Sequence, residues 1–278
     1  MFIPIDEVDF QKVVDTWNQG FSDYLLPINV DKAGLEHRIQ SLKLSKKLSA
    51  VFSIDGELAG VILLGIQTFQ KTKVMWIGGM AVVPKYRRSK VASKLIDYAE
   101  RLANENQCEQ LVLEVLAANE RAKQLYEVKG FQLVNELAVG SVVLPITIKV
   151  KNDLAFKSAS KKEQSLTENQ WTPWQNRCIF SDRNYEIYHE ESKIGSISFN
   201  LVEESSERTL ILRQLHVSQR EDRWLVIDIL LKLKEQENID TIKIANFDMA
   251  IPEYLELEKI GVILQLTQFQ LAKKLSEE

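Results

Sequence analysis

The chain matches itself. Moving the sequence along by 135 positions lays Gly195 on Gly60, Ile197 on Ile62, Val217 on Val82, Arg223 on Arg88, Val226 on Val91 and Leu230 on Leu95. One offset therefore serves a strand, the turn after it and the helix after that. Beyond a four-residue deletion, an offset of 131 lays Ile242 on Leu111, Ile244 on Leu113 and Gly261 on Gly130. Self-similarity at a fixed period restricts the fold more than composition does, because each copy must close a core with the same order of elements. The reading is an internal duplication; two unrelated α/β segments that share apolar periodicity are the alternative.

The first copy shows which elements repeat. Apolar residues alternate or cluster over Ser49–Ile54 and Gly60–Phe69 around Asp55-Gly56, a hairpin signal. Val74–Val83 reads as a further strand, and from Arg88 the positions Val91, Leu95, Ala99 and Leu102 recur at helical spacing. Leu111–Val115 is a short apolar run of the kind found in buried parallel strands, Asn119–Lys129 reads as helix, and Gly130 stands where a C-terminal cap belongs. Lys151–Gln170 is polar, so a boundary is expected inside it: a first domain over 1–155, a linker over 156–170 and a second domain over 171–278.

Composition narrows the class of function. With 278 residues, 45% hydrophobic and 27% charged, the chain reads as a soluble globular protein larger than one usual domain. A net charge of −4 and a pI near 5.6 give no support for a nucleic-acid groove or an anionic membrane surface as partner. Cys108 and Cys178 are too few for a disulfide framework and have no metal-ligand neighbours at the usual spacings, and His37, His189 and His216 are scattered. No metal is expected. The N-terminus lacks a signal-peptide pattern and no apolar run approaches a membrane helix, so a reducing cytoplasm is expected.

Two motifs carry chemistry. Met80-Ala-Val-Val-Pro-Lys-Tyr-Arg-Arg-Ser-Lys-Val-Ala leads from a strand into a helix, and Asn119-x-x-Ala-x-x-Leu-Tyr126-x-x-x-Gly130-Phe131 follows. Their order and separation resemble the cofactor motifs of the GNAT superfamily of N-acetyltransferases. The resemblance implies an α/β fold with a mixed, mostly antiparallel central sheet flanked by helices, here in two tandem copies. It also implies acetyl-CoA as cosubstrate and acetyl transfer to a primary amine by direct attack, with no metal and no covalent enzyme intermediate.

It further implies roles for individual residues. Met80, Ala81 and Val82 would offer a strand edge to the pantetheine amides. The turn Arg87, Arg88, Ser89, Lys90, Val91, Ala92 and Ser93 would hold the pyrophosphate through backbone N–H groups at a helix start. Lys90 departs from the family, which has glycine there. Asn119 would cap the second helix and bond the pantetheine. Tyr126 would be the general acid for the departing thiolate, and Glu114 would be a general base for the incoming ammonium, directly or through water.

The acceptor region would come from the first helices. Seven acidic residues from Asp6 to Glu36 against Lys12 and Lys32 make a field that favours a cationic amine, and Asp23 and Tyr24 are the expected substrate contacts. The acceptor is a small amine or a peptide or protein amine, and a homodimer is left open. In the second copy the offsets replace Lys90 by Leu225, Ala92 by Ile227, Glu114 by Ala245, Asn119 by Ala250 and Tyr126 by Leu257, so that copy is expected to be degenerate. The rival reading is a non-catalytic module that binds coenzyme A or dimerises.

Overall fold

The computed structural model describes residues 1–24, 28–144, 152–165, 168–204 and 206–275. It divides into two compact units that are not colinear with the chain. The first holds Met1–Val115, Glu120–Gln132 and Leu271–Glu278; the second holds Leu116–Asn119 and Leu133–Gln270.

In the first unit the elements run β1 (Phe2–Pro4), α1 (Phe10–Gly20), α2 (Lys32–Ser41), β2 (Ala50–Ile54), β3 (Glu57–Phe69), β4 (Thr72–Val82), α3 (Val91–Glu105), β5 (Gln110–Leu116) and α4 (Glu120–Val128). The strands lie in the order β1-β2-β3-β4-β5, antiparallel except for the β4–β5 pair. Local chemistry explains the helix starts: the Asp9 carboxylate accepts from the Gln11 N–H at 3.0 Å, and Asp31 accepts from the Gly34 N–H at 2.7 Å. Val91, Leu95, Ala99 and Ala103 form the buried stripe of α3, and Val13, Val14 and Trp17 that of α1. Each fully buried Leu or Val of this kind contributes about 1.5–3 kcal/mol.

In the second unit the elements are β6 (Gln132–Val142), β7 (Leu154–Ser158), α5 (Lys161–Ser165), β8 (Arg183–His189), β9 (Ser192–Glu204), β10 (Glu207–Val217), α6 (Val226–Gln236), β11 (Thr241–Asp248), α7 (Pro252–Gly261) and β12 (Val262–Lys274). The order is β12-β6-β11-β10-β9-β8-β7. Strand β6 follows α4 in the chain yet pairs with β11, and the last residues of β12 belong to the first unit, where the Leu275 N–H donates to Glu109 O at 2.9 Å. In the stretch 156–170, read from sequence as a linker, the structure has the end of β7 and α5; residues 166–167 lie outside the described residues.

Strand registers reproduce the sequence offsets. The pairs Ala50↔Ile62, Phe52↔Gly60 and Gly60↔Val82 of the first unit become Tyr185↔Ile197, Ile187↔Gly195 and Gly195↔Val217 in the second. The parallel pairs Val74↔Gln110 and Ile77↔Leu113 become Thr209↔Thr241 and Leu212↔Ile244, which is the change of offset from 135 to 131. Bulges coincide as well: Gly78 stands unpaired between Ile77 and Gly79, as Arg213 does between Leu212 and Gln214. Two unrelated segments would have no reason to share register and bulge positions. The mixed, mostly antiparallel sheet with flanking helices, twice over, is the observed architecture.

Candidate active site

The site of the first unit starts at a fork in its sheet. β4 and β5 pair from Val74↔Gln110 to Ile77↔Leu113 and the pairing ends there, with Gly78 next on β4 and Glu114 next on β5. Beyond the fork, Met80, Ala81 and Val82 still pair with β3, at Ile62, Val61 and Gly60, and Val82 O also accepts from Arg87 Nε at 3.4 Å. Glycine is required at the fork by close approach. A Cβ on Gly78 would come within 2.7 Å of the Trp76 ring, and one on Gly79 within 2.4 Å of the Trp17 ring. Neither tryptophan was singled out from sequence.

Glu114 sits at this fork, half-buried, and its Oε2 accepts from the Trp76 Nε1–H at 2.7 Å. Across from it Arg38 of α2 donates from Nη2 to Gly78 O at 2.7 Å and lies 5.8 Å from the centre of the Trp17 ring. Burial lowers the pKa of Arg38, and the charge of Glu114 opposes that shift.

The turn from β4 to α3 has an uncommon backbone. Arg88 and Lys90 both have positive φ, 65° and 59°, and Lys90 is the left-handed N-cap of α3 without a side-chain cap. The first helical bond of α3 runs from the Lys94 N–H to Lys90 O at 3.0 Å, so the N–H groups of Val91, Ala92 and Ser93 precede the ladder. Alternating left-handed residues at a helix start turn successive N–H groups into one concavity, which suits a phosphate. Arg88, Ser89 and Lys90 are exposed, Val91 is buried, and Ala92 and Ser93 are half-buried.

Arg87 has a different occupation. It grips the Asp23 carboxylate with both guanidinium arms, at 2.5 and 2.6 Å, and donates to Gly20 O at 3.3 Å. Sequence assigned Arg87 to the cofactor and Asp23 to the acceptor, whereas the structure brings the two together. The Arg87 hydrogen bonds hold the Asp23 carboxyl below the usual carboxylate range against a small opposing effect of burial. Other carboxylates of the N-terminal acidic field also have local partners: Asp9 and Asp31 cap helices, Asp15 accepts from Gln11, and Glu36 pairs with Lys46 at 2.6 Å.

Tyr126 is held by the end of α4. The Phe131 N–H donates to Tyr126 O and the Gly130 N–H to Glu127 O, with Gly130 at φ +85°, which is the Schellman arrangement. The apolar contact that accompanies this motif is the edge-on pair of Tyr126 and Phe131, 5.6 Å apart. Tyr126 is buried, and burial, with a smaller effect of Tyr24, raises its pKa, so the phenol keeps its proton at neutral pH. Tyr24 is half-buried and meets Phe21 edge-on at 5.2 Å. Asn119 immediately precedes α4, in the four-residue segment grouped with the second unit, and its N–H donates to Leu116 O at 2.8 Å.

In the second unit several of these positions have other partners, and a cavity of about 830 Å³ lies between Arg220, Arg223 and Trp224 of its turn and Leu255 and Lys259 of α7. That turn is a 3-10 helix over Arg220–Leu225, and Leu225 is right-handed and fully buried where Lys90 is left-handed and exposed. At the bulge, Arg213 occupies the Gly78 position and donates to Asn200 Oδ1 at 2.8 Å. Asn176 donates to the carbonyls of Ala245 and Asn246 at 2.8 Å, on the strand where Glu114 has its counterpart. The strand edge is taken too: the Val217 N–H donates to buried Glu253 at 2.8 Å.

Comparison with known proteins agrees with this division. Residues 13–131 match the Acetyltransferase (GNAT) family. An N-alpha-acetyltransferase 30 of Dictyostelium discoideum is 35% identical over 83 residues, 30% of this chain and 45% of that protein, so less than half of the relative's length is matched. A tandem GNAT protein from the clavulanic acid biosynthesis pathway superposes with a TM-score of 0.61 at 13% identity, over 100% of this chain and 99% of that one. A GCN5-related N-acetyltransferase from Sphaerobacter thermophilus gives a TM-score of 0.66 at 9% identity, over 99% and 95% of the two chains. At such identities the structures speak for fold alone. The chain thus has the fold of tandem GNAT proteins, and its residues 13–131 match the acetyltransferase (GNAT) family.

Proposed function

We propose that the first unit transfers an acetyl group from acetyl-CoA to a primary amine by direct attack. The observation that supports this reading is the fork, with its carboxylate and pair of close-packed glycines, in a unit that also holds a phosphate-suited turn and a buried, protonated tyrosine. The N–H groups of the Arg88–Ser93 turn hold the pyrophosphate, and the outer edge of Met80–Val82 bonds the pantetheine amides, with Asn119 at the far side. A backbone N–H of that edge faces the thioester oxygen and stabilises the developing oxyanion.

Glu114 takes a proton from the incoming ammonium, directly or through water, and the freed amine attacks the thioester carbonyl. As the carbon–sulfur bond breaks, Tyr126 gives its proton to the leaving thiolate. Asp23, clamped by Arg87, shapes the acceptor side beside Tyr24. The named relative acts on N-terminal amines, so a peptide or protein amine is the first acceptor class and a small amine the second. The second unit, a degenerate copy, has no such role. We keep as a proposal a first domain over 1–155, a linker over 156–170 and a second, degenerate domain over 171–278. Among the described residues no helix is long and apolar enough to cross a membrane, and we place the reaction in the cytoplasm.

Release of free thiol from acetyl-CoA against a panel of peptides and small amines tests the reading. Amine-dependent release above background is expected. Tight acetyl-CoA binding without release would favour the rival, a module that binds the cosubstrate or dimerises and does no chemistry.

A further inference from the structure

Arg38 comes from a helix that the cofactor motifs do not include, yet its guanidinium lies at the point where β4 and β5 part. Its Nη2 bonds the carbonyl of Gly78, the residue left unpaired in the β4 bulge. Glu114, the first β5 residue past the last strand pair, stands beside Gly78 at the fork, and its charge opposes the lowering of the Arg38 pKa by burial. The Arg38 Nε is buried and has no acceptor among the described residues. A buried cation with an unused donor is costly unless something holds it there. The cost is offset here by Gly78 O, the Trp17 face and the carboxylate.

The second unit gives an internal control. At its own fork the guanidinium comes from Arg213, on the bulge itself, and is tied to Asn200, while the Glu114 position is Ala245. There the cation sits on the bulge residue itself, and the charge that opposes its burial is that of Asp182 and not of a residue at the Glu114 position. In the first unit the cation comes from outside the sheet, which leaves the bulge residue a glycine and the carboxylate in place.

We propose that Arg38 is a positioning residue: it pins the Gly78 carbonyl at the fork and, with Trp76, fixes the Glu114 carboxylate toward the acceptor amine. This rests on the reading of Glu114 as the base. A carboxylate whose charge is opposed by a fixed guanidinium cannot swing away without separating the two charges. Loss of such orientation costs rate even far from the bond that breaks, on the order of 100-fold for a displacement near 1 Å.

Arg38→Ala is therefore expected to lower kcat about 100-fold with the KM for acetyl-CoA unchanged, and added guanidinium ion to restore part of the rate. The double variant Arg38→Ala, Glu114→Gln should be no slower than Glu114→Gln alone, because both changes remove one unit of function. Additive losses, or no guanidinium rescue, would overturn the proposal. If Glu114→Gln keeps the native kcat, the base reading fails separately. The pin on Gly78 is then read by amide exchange, expected to quicken over Gly78–Met80 in Arg38→Ala, and unchanged exchange would refute it. Arg38→Lys covers a failure of the alanine variant to fold: it keeps the charge and loses the fork-shaped donor set, so a native kcat would also refute the role.

Discussion

The two turns that follow β4 and β10 leave strands of the same register and enter helices that begin at matching residues, Val91 and Val226, yet their backbones differ. The first puts Arg88 and Lys90 in the left-handed region; the second winds Arg220–Leu225 into a 3-10 helix and buries Leu225. A 3-10 turn spends its N–H groups on its own carbonyls, whereas the left-handed turn leaves them pointing outward. At the sheet too the partners differ: Glu253, Asn176 and Arg213 bond the Val217 N–H, the Asn246 carbonyl and Asn200 in the second unit, where the first has Arg87 on Val82 O and Arg38 on Gly78 O. A duplicated fold can thus keep its strand registers while the groups at the turn and the sheet edge change, and in the second unit a cavity of about 830 Å³ still lies between Arg220, Arg223 and Trp224 of the turn and Leu255 and Lys259 of α7.

The comparison breaks most sharply at Tyr126 and its counterpart Leu257. Tyr126→Phe should lower kcat about 100-fold with acetyl-CoA affinity little changed, whereas fully buried Leu257→Ala should cost about 2–5 kcal/mol of stability. Steady-state kinetics and chemical denaturation separate the two, and an unchanged kcat would remove Tyr126 from the acid role. Asn176→Ala comes next. It strips the donor from the carbonyls of Ala245 and Asn246 and should destabilise by about 1–3 kcal/mol, read as a lower denaturation midpoint with kcat unaffected.

At the turns the same substitution should act with opposite sign. Lys90→Gly relieves a left-handed lysine and should stabilise by about 1 kcal/mol, while Leu225→Gly removes a buried side chain and should destabilise. A fall in Tm for Lys90→Gly would show that the lysine makes an unrecognised contact. The change in acetyl-CoA Kd reads the side chain itself: tighter binding means that it crowds the phosphates, weaker binding that its charge attracts them.

The smallest effect concerns Asp23 and Arg87. Asp23 is largely exposed, so Asp23→Asn should cost only about 0.2–1 kcal/mol at neutral pH, and less in high salt. Because the folded pKa of Asp23 is depressed, the contribution is complete above its unfolded value near 3.9 and is lost as pH falls through the folded one. Thermal melts of native and variant protein should converge in acid; a gap that persists there would mean that the carboxylate acts through something other than its charge.

Much of this was legible in the residues. Apolar periodicity located β2 to β5, α3 and α4, Asp55-Gly56 marked its hairpin, and Gly130 marked the Schellman cap, because each is a short-range signal that a few neighbouring residues determine. The two offsets anticipated the strand registers down to the change from 135 to 131. The partners of the charged groups were not legible. Arg87 with Asp23 spans 64 positions, Arg38 with Gly78 spans 40 and Trp76 with Glu114 spans 38, and no local pattern links them.

What the sequence alone determined is the repeated order of strands, turns and helices, since backbone conformation and apolar pattern repeat wherever their short-range causes do. Only the tertiary structure decided that β6 belongs to the second unit while the chain's last residues belong to the first. It alone also decided that Arg38 reaches the fork and that Arg213 bonds Asn200 at the bulge of the second unit. Those outcomes depend on which distant groups can satisfy a buried donor, acceptor or strand edge, and burial imposes that requirement only once the chain has closed on itself.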